Sequence, residues 1–218
     1  MARIARIVLS RKPHLVCQSS DSSIFNTPNR RQKYLQIVGD CAKTYDIKVL
    51  AWSVLKDKSY FVLVPPSAEA LSSFMRVAHT RYARFLHAAG YKGDVTPRRF
   101  ASCPLDGPAT LEAVKFVESR PVAERLARSV KDYPFSSVPA RTDVGSEGDH
   151  LLTDAPEITG RVDSWLKWHA DELDRQRVTY LAMRMRTGKP AGAPTFVRRV
   201  EKMVGMNLSR GRGRPKGS

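Results

Sequence analysis

Residues 51–66 read Ala-Trp-Ser-Val-Leu-Lys-Asp-Lys-Ser-Tyr-Phe-Val-Leu-Val-Pro-Pro. Two runs rich in β-branched, aromatic and other apolar residues, 48–54 and 59–64, are separated by a short polar turn. This pattern is typical of a β-hairpin whose two strands pair directly. Proline has no amide hydrogen to donate to a neighbouring strand, so Pro65 and Pro66 end the second strand. The hairpin is the part of the sequence from which the rest of the fold can be built outward.

The segments on either side of the hairpin complete a regular order of elements. Apolar residues that recur every three or four positions predict helices, and clusters of β-branched residues predict strands. The flanking segments are a strand at 13–18, a helix at 29–45 capped by Asn29, a helix at 67–90, an extended segment at 95–105, and a helical stretch from Pro108 that breaks near Pro121 and ends near Ser129. The order strand, helix, strand, strand, helix, strand, helix predicts an α+β fold, with a ferredoxin-like antiparallel sheet and helices on one face.

The remainder of the chain divides by composition. Residues 138–160 are rich in Gly, Pro, Ser and Asp, which predicts a linker or mobile loop after a first domain at 1–137. A helical C-terminal region is predicted at 161–209, with one helix over 161–186 and a shorter one over 195–204. Trp165, Trp168 and Tyr180 in this region are interpreted as packing residues rather than base-stacking ones. The basic, Gly-rich residues 210–218 form a tail that we expect to be disordered when unbound.

Charge is the strongest compositional signal. The formal net charge is +16 over 218 residues, and 42% of the residues are hydrophobic, enough for a packed core. A balance this basic predicts a polyanionic partner. From Arg175 onward there are 12 Lys and Arg residues against one acidic residue, Glu201. The positive excess is therefore mostly a property of the C-terminal region.

Cysteine usage and hydropathy exclude several classes of protein. The three cysteines, Cys17, Cys41 and Cys103, form no Cys-x-x-Cys pair, so buried reduced thiols in a cytosolic protein are favoured over a disulfide framework or a zinc site. No signal peptide is evident, and the longest apolar stretch, at 47–55, is too short to span a membrane. We therefore expect a cytoplasmic, nucleoid-associated protein with no membrane partner, no metal and no cofactor.

Several short segments resemble, in order and at matching spacings, the REP-associated tyrosine transposases. The hairpin is similar to a family stretch that reads roughly Ala-Tyr-x-Leu-Met-Pro-Asn-His-Val-His-Leu-Leu-Leu-x-Pro. The other matching segments are 3–8, 13–18, 30–35, 98–102, 132–137, 188–190 and 196–201. The resemblance implies a ferredoxin-like fold and a particular reaction. In that reaction two histidines hold a metal ion that polarises a scissile phosphate, and a tyrosine attacks the phosphate to form a covalent link to DNA.

The positions that would carry this chemistry hold unsuitable residues here. The places of the two histidines fall on Lys58 and Tyr60, and the place of the nucleophilic tyrosine falls on Phe116. A further polar residue, one helical turn later in the family, is Arg120 here. A protonated lysine cannot ligate a metal, and phenylalanine has no hydroxyl group. The resemblance therefore implies a catalytically degenerate member.

A shift in the alignment does not restore the histidine pair. No two of the five histidines are one residue apart; they are His14, His79, His87, His150 and His169. Tyr60 could act as a substitute nucleophile, although a tyrosine at a strand position is more often a packed cross-strand aromatic. His14 is interpreted as structural or as a phosphate hydrogen-bond donor rather than as a metal ligand.

The tail contains a second motif. The sequence Arg212-Gly213-Arg214-Pro215-Lys216 matches the AT-hook pattern, in which a thin extended backbone lets arginines enter the narrow minor groove of A·T tracts. The alternative is a generic basic tail that neutralises phosphates without reading sequence. Either interpretation predicts contact with nucleic acid.

The sequence therefore favours a DNA-binding protein, a regulator or an architectural factor, that holds A·T-rich duplex or hairpin-bearing DNA. Two alternatives stay open: an active transposase that cleaves and joins single-stranded or hairpin DNA through unrecognised residues, and an RNA-binding module whose sheet aromatics stack bases. The oligomeric state is unknown, with a monomer slightly favoured because relatives with REP-type domains look monomeric. The candidate DNA contacts are Arg3, Arg6, Arg11, Lys58, Arg98, Arg99, Arg120, Arg210, Arg212, Gly213, Arg214, Pro215 and Lys216.

Overall fold

The computed structural model describes residues 6–20, 22–96, 98–142, 149–153, 155 and 160–205. The strands are β1 (His14–Ser19), β2 (Lys48–Val54), β3 (Lys58–Val64) and β4 (Ala101–Pro104). The helices are α1 (Pro28–Thr44), α2 (Ala68–Ala88), α3 (Gly107–Glu118), α4 (Arg120–Ala123), α5 (Ser137–Thr142), α6 (Trp165–Ala170), α7 (Arg175–Thr187) and α8 (Pro194–Val204). Single 3₁₀ turns cover Val130–Asp132 and Asp149–Leu151.

The four strands form one antiparallel sheet in the order β2-β3-β1-β4. The predicted hairpin is its β2–β3 pair, and β1 lies between β3 and β4. In this register Tyr60 of β3 lies opposite Cys17 of β1 on one side and Ser53 of β2 on the other. The predicted ferredoxin-like α+β class is confirmed.

Short polar side chains set where the first two long helices begin. The Thr27 hydroxyl accepts a hydrogen bond from the Arg30 amide, and Pro28 occupies the first turn, where a missing amide hydrogen does no harm. Helix α1 therefore begins before Asn29, the predicted cap. Helix α2 begins as predicted, with the Ser67 hydroxyl accepting from the Ala70 amide at 3.0 Å.

Helices cover both faces of the sheet. On the first face, α1 and α2 pack over Val16, Trp52 and Phe61. The sequence predicted helices on one face and not on both. Alternate strand residues point to the opposite face and are also apolar and buried, so that face needs its own cover. Helices α3 and α7 provide it, and Leu181 of α7 is completely buried there. The helical C-terminal region thus includes part of the main core.

The described part of residues 138–160, predicted as a linker or loop, is packed against the sheet domain. Val138 is completely buried, and Leu151 packs in the core under α1. Thr153 exchanges two hydrogen bonds with Val49 of β2, one through its amide and one through its hydroxyl. The predicted single helix at 161–186 is instead the two helices α6 and α7, because Asp174 caps a new helix by accepting a hydrogen bond from the Gln176 amide.

His14 is a buried structural residue. Its Nε2 accepts a hydrogen bond from the Leu9 amide at 3.1 Å, and its Nδ1 donates to the Lys12 carbonyl at 2.7 Å. Burial lowers the pKa of His14 from 6.5 to about 4, with the Lys12 carbonyl partly opposing the shift. The ring is therefore neutral and its two nitrogens are satisfied by the N-terminal segment. Of the two predicted roles, the structural one fits this geometry.

Two further expectations concern thiols and membranes. Cys17, Cys41 and Cys103 are all free and buried. Among the described residues, no helix has the length and apolar character that crossing a bilayer requires.

Candidate functional site

The four positions singled out by the resemblance lie together at one end of β3. Lys58 and Tyr60 are two residues apart on that strand, so they lie on the same face of the sheet. The C-terminal end of α3 packs on this face and brings Phe116 to Tyr60, with ring centroids 6.1 Å apart in an edge-to-face arrangement. The Arg120 guanidinium lies 4.2 Å from the centre of the Phe116 ring. We refer to Lys58, Tyr60, Phe116 and Arg120 as the quartet.

Two residues that sequence reasoning missed adjoin the quartet. Cys17 lies opposite Tyr60 on the neighbouring strand β1, where the two side chains act electrostatically on each other. Glu124, which follows α4, is close enough to act electrostatically on Lys58, Tyr60 and Arg120. No local sequence motif predicts a role for either residue. Each belongs to a different part of the chain, and only the fold brings them to the quartet.

Burial favours the protonated forms of the Tyr60 hydroxyl and the Cys17 thiol. It raises the pKa of the Tyr60 hydroxyl well above its ordinary value of 10, and the neighbouring Cys17 and Glu124 add to the shift. Burial also raises the pKa of the Cys17 thiol, to about 12. Both groups therefore stay protonated at neutral pH, whereas attack on a phosphate requires the deprotonated form or an adjacent base.

Lys58 and Arg120 supply fixed positive charge instead. The Lys58 side chain is 35% exposed, and its Nζ lies 3.3 Å from a carboxylate oxygen of Asp57. Burial lowers its pKa, but Glu124 and Asp57 outweigh that effect and the pKa is raised overall. Arg120 is held by a hydrogen bond from its Nε to the Phe116 carbonyl at 3.2 Å. Burial lowers the pKa of Arg120, although an arginine remains charged at neutral pH.

The described residues offer no cluster of three or more His, Cys, Asp or Glu side chains that could hold a metal ion. Tyr60 is the one member of the quartet with a side-chain oxygen, and that hydroxyl group stays protonated. These side chains can attract an anion through Lys58 and Arg120, but they do not provide a metal centre.

Three of the other predicted contacts lie at the same end of the sheet. Because β1 is antiparallel to both neighbours, β4 begins at the end where β3 begins. Arg98 and Arg99 are exposed just before β4. Arg6 stacks on Phe100, 3.4 Å from the ring centre, and donates to the Phe100 carbonyl at 3.0 Å. Burial and the nearby Arg99 lower the pKa of Arg6 to about 10, which indicates two like charges held close together.

The remaining predicted contacts are elsewhere. Arg11 is exposed at the opposite end of β3, where its amide donates to the Pro65 carbonyl and its side chain lines a cavity of about 700 Å³ with Lys48 and Arg161. Seven strand residues separate that end from Lys58, which corresponds to roughly 20 Å. Arg3 and the tail residues Arg210, Arg212, Gly213, Arg214, Pro215 and Lys216 lie outside the described residues.

A buried carboxylate stands directly behind the quartet. Glu118, the last residue of α3, is completely buried and accepts four hydrogen bonds. The donors are the Ser137 hydroxyl at 2.6 Å, Arg141 Nε at 2.8 Å, Trp165 Nε1 at 2.8 Å and His169 Nε2 at 2.8 Å. Burial raises the pKa of Glu118, but Arg141 and His169 outweigh it and the pKa is lowered overall. We refer to Glu118 and its four donors as the Glu118 hub.

The Glu118 hub fixes the position of the C-terminal end of α3, which carries Phe116 of the quartet. Ser137 and Arg141 belong to α5, and Trp165 and His169 belong to α6, so one carboxylate joins three helices. The predicted packing role of Trp165 agrees with this contact. His169 also places its Nδ1 3.5 Å from the Ser119 hydroxyl, which completes a line of serine, histidine and glutamate.

Comparison with known proteins supports the fold assignment. No protein-family model matches the chain, and no curated protein matches it in sequence. Among solved structures, a REP-associated tyrosine transposase bound to a REP hairpin aligns over 71% of this chain and 93% of its own, with a TM-score of 0.55 and 18% sequence identity. A candidate transposase from Deinococcus radiodurans R1 aligns over 55% of this chain and 98% of its own at a TM-score of 0.38 and 13% identity, too low a score to indicate a shared fold. The first alignment shows that the chain has a transposase-like fold.

Proposed function

We propose that the chain is a DNA-binding protein built on the scaffold of a REP-associated tyrosine transposase, without the strand-cleaving activity of that family. It would act as a regulator or an architectural factor on A·T-rich duplex or hairpin-bearing DNA. The observation that carries this proposal is the packing of the quartet. Phe116 packs against both Tyr60 and Arg120 where the resemblance would place metal ligands and nucleophile.

The chemistry of the quartet supports binding rather than cleavage. Arg120 lies over the face of the Phe116 ring, so this position presents a cation and an aromatic ring rather than a nucleophile. Lys58 remains partly exposed beside it. A fixed cation attracts a phosphate and orients it, but cleavage also needs a nucleophile and a means of stabilising the leaving group.

Charge and fold together favour DNA as the partner. The net charge of +16 matches a polyanion, and Arg6, Arg98 and Arg99 add to the positive charge at the quartet end of the sheet. The solved transposase of the same fold is bound to a REP hairpin, which makes a hairpin-bearing strand a natural probe for this chain. The RNA-binding alternative relied on exposed sheet aromatics. The sheet aromatics Trp52, Tyr60 and Phe61 are buried instead, because helices cover both faces.

The first prediction is that the protein neither nicks DNA nor becomes covalently attached to it. Hairpin-bearing single strands would be incubated with the protein and magnesium or manganese, and adducts would be resolved on denaturing gels. The variant Phe116→Tyr should be equally inactive, because Lys58 and Tyr60 still offer no metal site. A metal-dependent adduct in either protein would contradict the proposal.

Mapping such an adduct would test the second candidate function, an active transposase with a different nucleophile. One observation favours it: the Ser119 hydroxyl lies 3.5 Å from His169 Nδ1, while His169 Nε2 lies 2.8 Å from Glu118. A histidine oriented by a carboxylate can activate a serine. An adduct on Ser119 that disappears in Ser119→Ala would establish that function in place of the proposed one.

The second prediction concerns the salt dependence of DNA binding. Each phosphate neutralised by Lys or Arg changes the slope of log affinity against log salt by about −0.9 on duplex DNA. Removing residues 206–218 deletes four cations and no acidic residue, so the slope should become shallower by up to about 3–4. The truncation is placed here because α7 and α8 pack in the described cores and must be kept. An unchanged slope would place the DNA footprint on the folded domain alone.

The third prediction tests whether the tail reads sequence. The double change Arg212→Ala, Arg214→Ala should weaken binding to A·T duplex more than to a matched G·C duplex, by on the order of 1–3 kcal/mol at one fixed salt concentration. The reason is that arginines in a thin Gly- and Pro-containing strand can reach the floor of a narrow minor groove. The matched control is Lys202→Ala, Arg210→Ala, which removes the same charge from outside the motif. Equal losses on both duplexes would identify the tail as an electrostatic anchor.

A further inference from the structure

The outer surface of α1 and α2 contains a groove that the proposed function does not use. It has a volume of about 440 Å³ and lies between the two helices, on the side of the sheet away from the quartet. Its walls carry the cations Lys33, Arg81 and Arg84, and its lining includes one acidic residue, Asp40, and the ring of Phe85. A groove with this lining has a net positive charge and an apolar floor.

The charges in the groove are only partly balanced. Arg81 and Asp40 pair with each other at 2.9 Å, which leaves Lys33 and Arg84 as its positive excess. Among the described residues, Lys33 Nζ makes a long contact of 3.5 Å with the Gln36 side chain and lies 6.0 Å from the Phe85 ring centre. Lys33 and Arg84, in a lining whose acidic residue Asp40 is already paired with Arg81, present an attractive surface to an anion.

The basic character continues beyond the groove along α1. Arg30 lies one helical turn before Lys33, so the two side chains are on the same side of the helix. The Arg30 guanidinium is placed 4.8 Å from the Tyr91 ring centre, just past the end of α2. Arg30, Lys33 and Arg84 therefore place three cations on the two helices. A polymer with regularly spaced negative charges can meet several of them at once, which a single small anion cannot.

We propose that this groove binds the phosphate backbone of a second DNA duplex, so that the protein holds two DNA segments on opposite sides of its sheet. The quartet lies under α3, and the groove lies outside α1 and α2, with the sheet and a helix layer between them. Duplex DNA has a persistence length of about 150 base pairs, so a short straight duplex does not wrap from one side of a small domain to the other. The two surfaces therefore take separate duplexes. This inference goes beyond the proposed function, because it adds a bridging activity to simple DNA binding.

The test is a two-duplex capture assay with the full chain. One duplex is fixed to beads, the protein is added to saturation, and a second, fluorescent duplex is supplied at about 100 mM salt, within the range where phosphate contacts are sensitive to salt. The groove variant is Lys33→Ala, Arg84→Ala. The matched control is Lys43→Ala, Arg76→Ala, which removes the same charge from exposed positions of the same two helices outside the groove.

We expect the unmodified protein and the control to capture the second duplex, and the groove variant to capture about tenfold less. Lys43, Arg76 and Arg84 are exposed and Lys33 is half-buried, so each variant should keep its thermal midpoint within a few degrees. Equal capture by the two variants would overturn the inference, and so would an unmodified protein that binds one duplex but never two. A protein that binds no duplex at all would overturn the proposed function as well.

Discussion

Replacing Glu118 with glutamine should lower the free energy of unfolding by about 3–5 kcal/mol at neutral pH. The carboxylate is completely buried and accepts hydrogen bonds from four side chains, two of which come from α5 and two from α6. Without its charge, the guanidinium of Arg141, whose side chain is 9% exposed, is left unpaired in the interior. An uncompensated buried charge is among the largest single destabilising effects known in proteins.

Glu112 on the same helix provides the control. It also pairs with an arginine, Arg177, but the two side chains are 29% and 39% exposed. The change Glu112→Gln should lower the free energy of unfolding by no more than about 1 kcal/mol, because water screens an exposed pair. Urea unfolding followed by circular dichroism measures both variants. Similar losses for Glu118→Gln and Glu112→Gln would mean that the Glu118 hub is not a principal support of the fold.

The hub also predicts how the protein responds to acid. The pKa of Glu118 is lowered below its ordinary 4.5 in the folded state, so the unfolded chain takes up a proton at a higher pH than the folded chain does. The stabilisation from the hub is therefore complete above pH 4.5 and is lost as the pH falls through the lower, folded-state pKa. The variant Glu118→Gln should lack this part of the acid sensitivity.

Protonation of His14 in the unfolded chain should lower the free energy of unfolding by about 3 kcal/mol between pH 6.5 and pH 4. Its pKa is about 4 in the folded protein against 6.5 in the unfolded chain, so only the unfolded chain binds a proton in that interval. Stability then falls by about 1.4 kcal/mol for each pH unit of acidification, and the loss is complete near pH 4. The cause is burial, since a charged imidazole would lose its hydration and one nitrogen already accepts a hydrogen bond from the Leu9 amide.

The measurement is the free energy of unfolding at several pH values for the unmodified protein and for His14→Gln. The variant should show a shallower slope over this interval, whatever its stability at neutral pH. His79 is also buried, and its lowered pKa contributes in the same direction, so some slope should remain. The matched control for the loss of a histidine is His87→Gln, at an exposed position. An identical slope in His14→Gln and the unmodified protein would contradict the prediction.

The elements of the sheet domain could be predicted from sequence because their signals are local. The hairpin follows from two apolar runs and a polar turn, and Ser67 and the apolar stripe after it define α2. The fourth strand is shorter than predicted, since only Ala101–Pro104 pairs with β1. Upstream of it the carbonyls of Val95 and Arg98 accept hydrogen bonds from side chains, His79 and Gln18, instead of from a neighbouring strand. Side-chain contacts between residues far apart along the chain leave no periodic pattern in the sequence, so the start of β4 could not be predicted.

The candidate site likewise has one part that could be predicted from the sequence and one part that could not. The resemblance pointed to the four quartet positions, and the structure brings all four together. The Glu118 hub could not be predicted, because a single glutamate at the end of an apolar helix has the pattern of a solvent-exposed residue. Its partners are 19 to 51 residues away along the chain. Only the packing of α5 and α6 against α3 reveals that the carboxylate is buried.

The packing of α7 on the second face of the sheet has a consequence for biosynthesis. Helix α7 contacts β4, and Ala191 forms a β-bridge with Leu105. Apolar residues of the N-terminal strands therefore stay uncovered until α7 and Ala191 have been synthesised. Contacts between residues so far apart in the sequence slow folding. Until they form, apolar surface stays exposed and can aggregate. The nascent chain should therefore complete this core only once α7 has left the ribosome. Truncated products that end before Arg175 should aggregate or be degraded rather than persist as sheet domains with DNA affinity of their own.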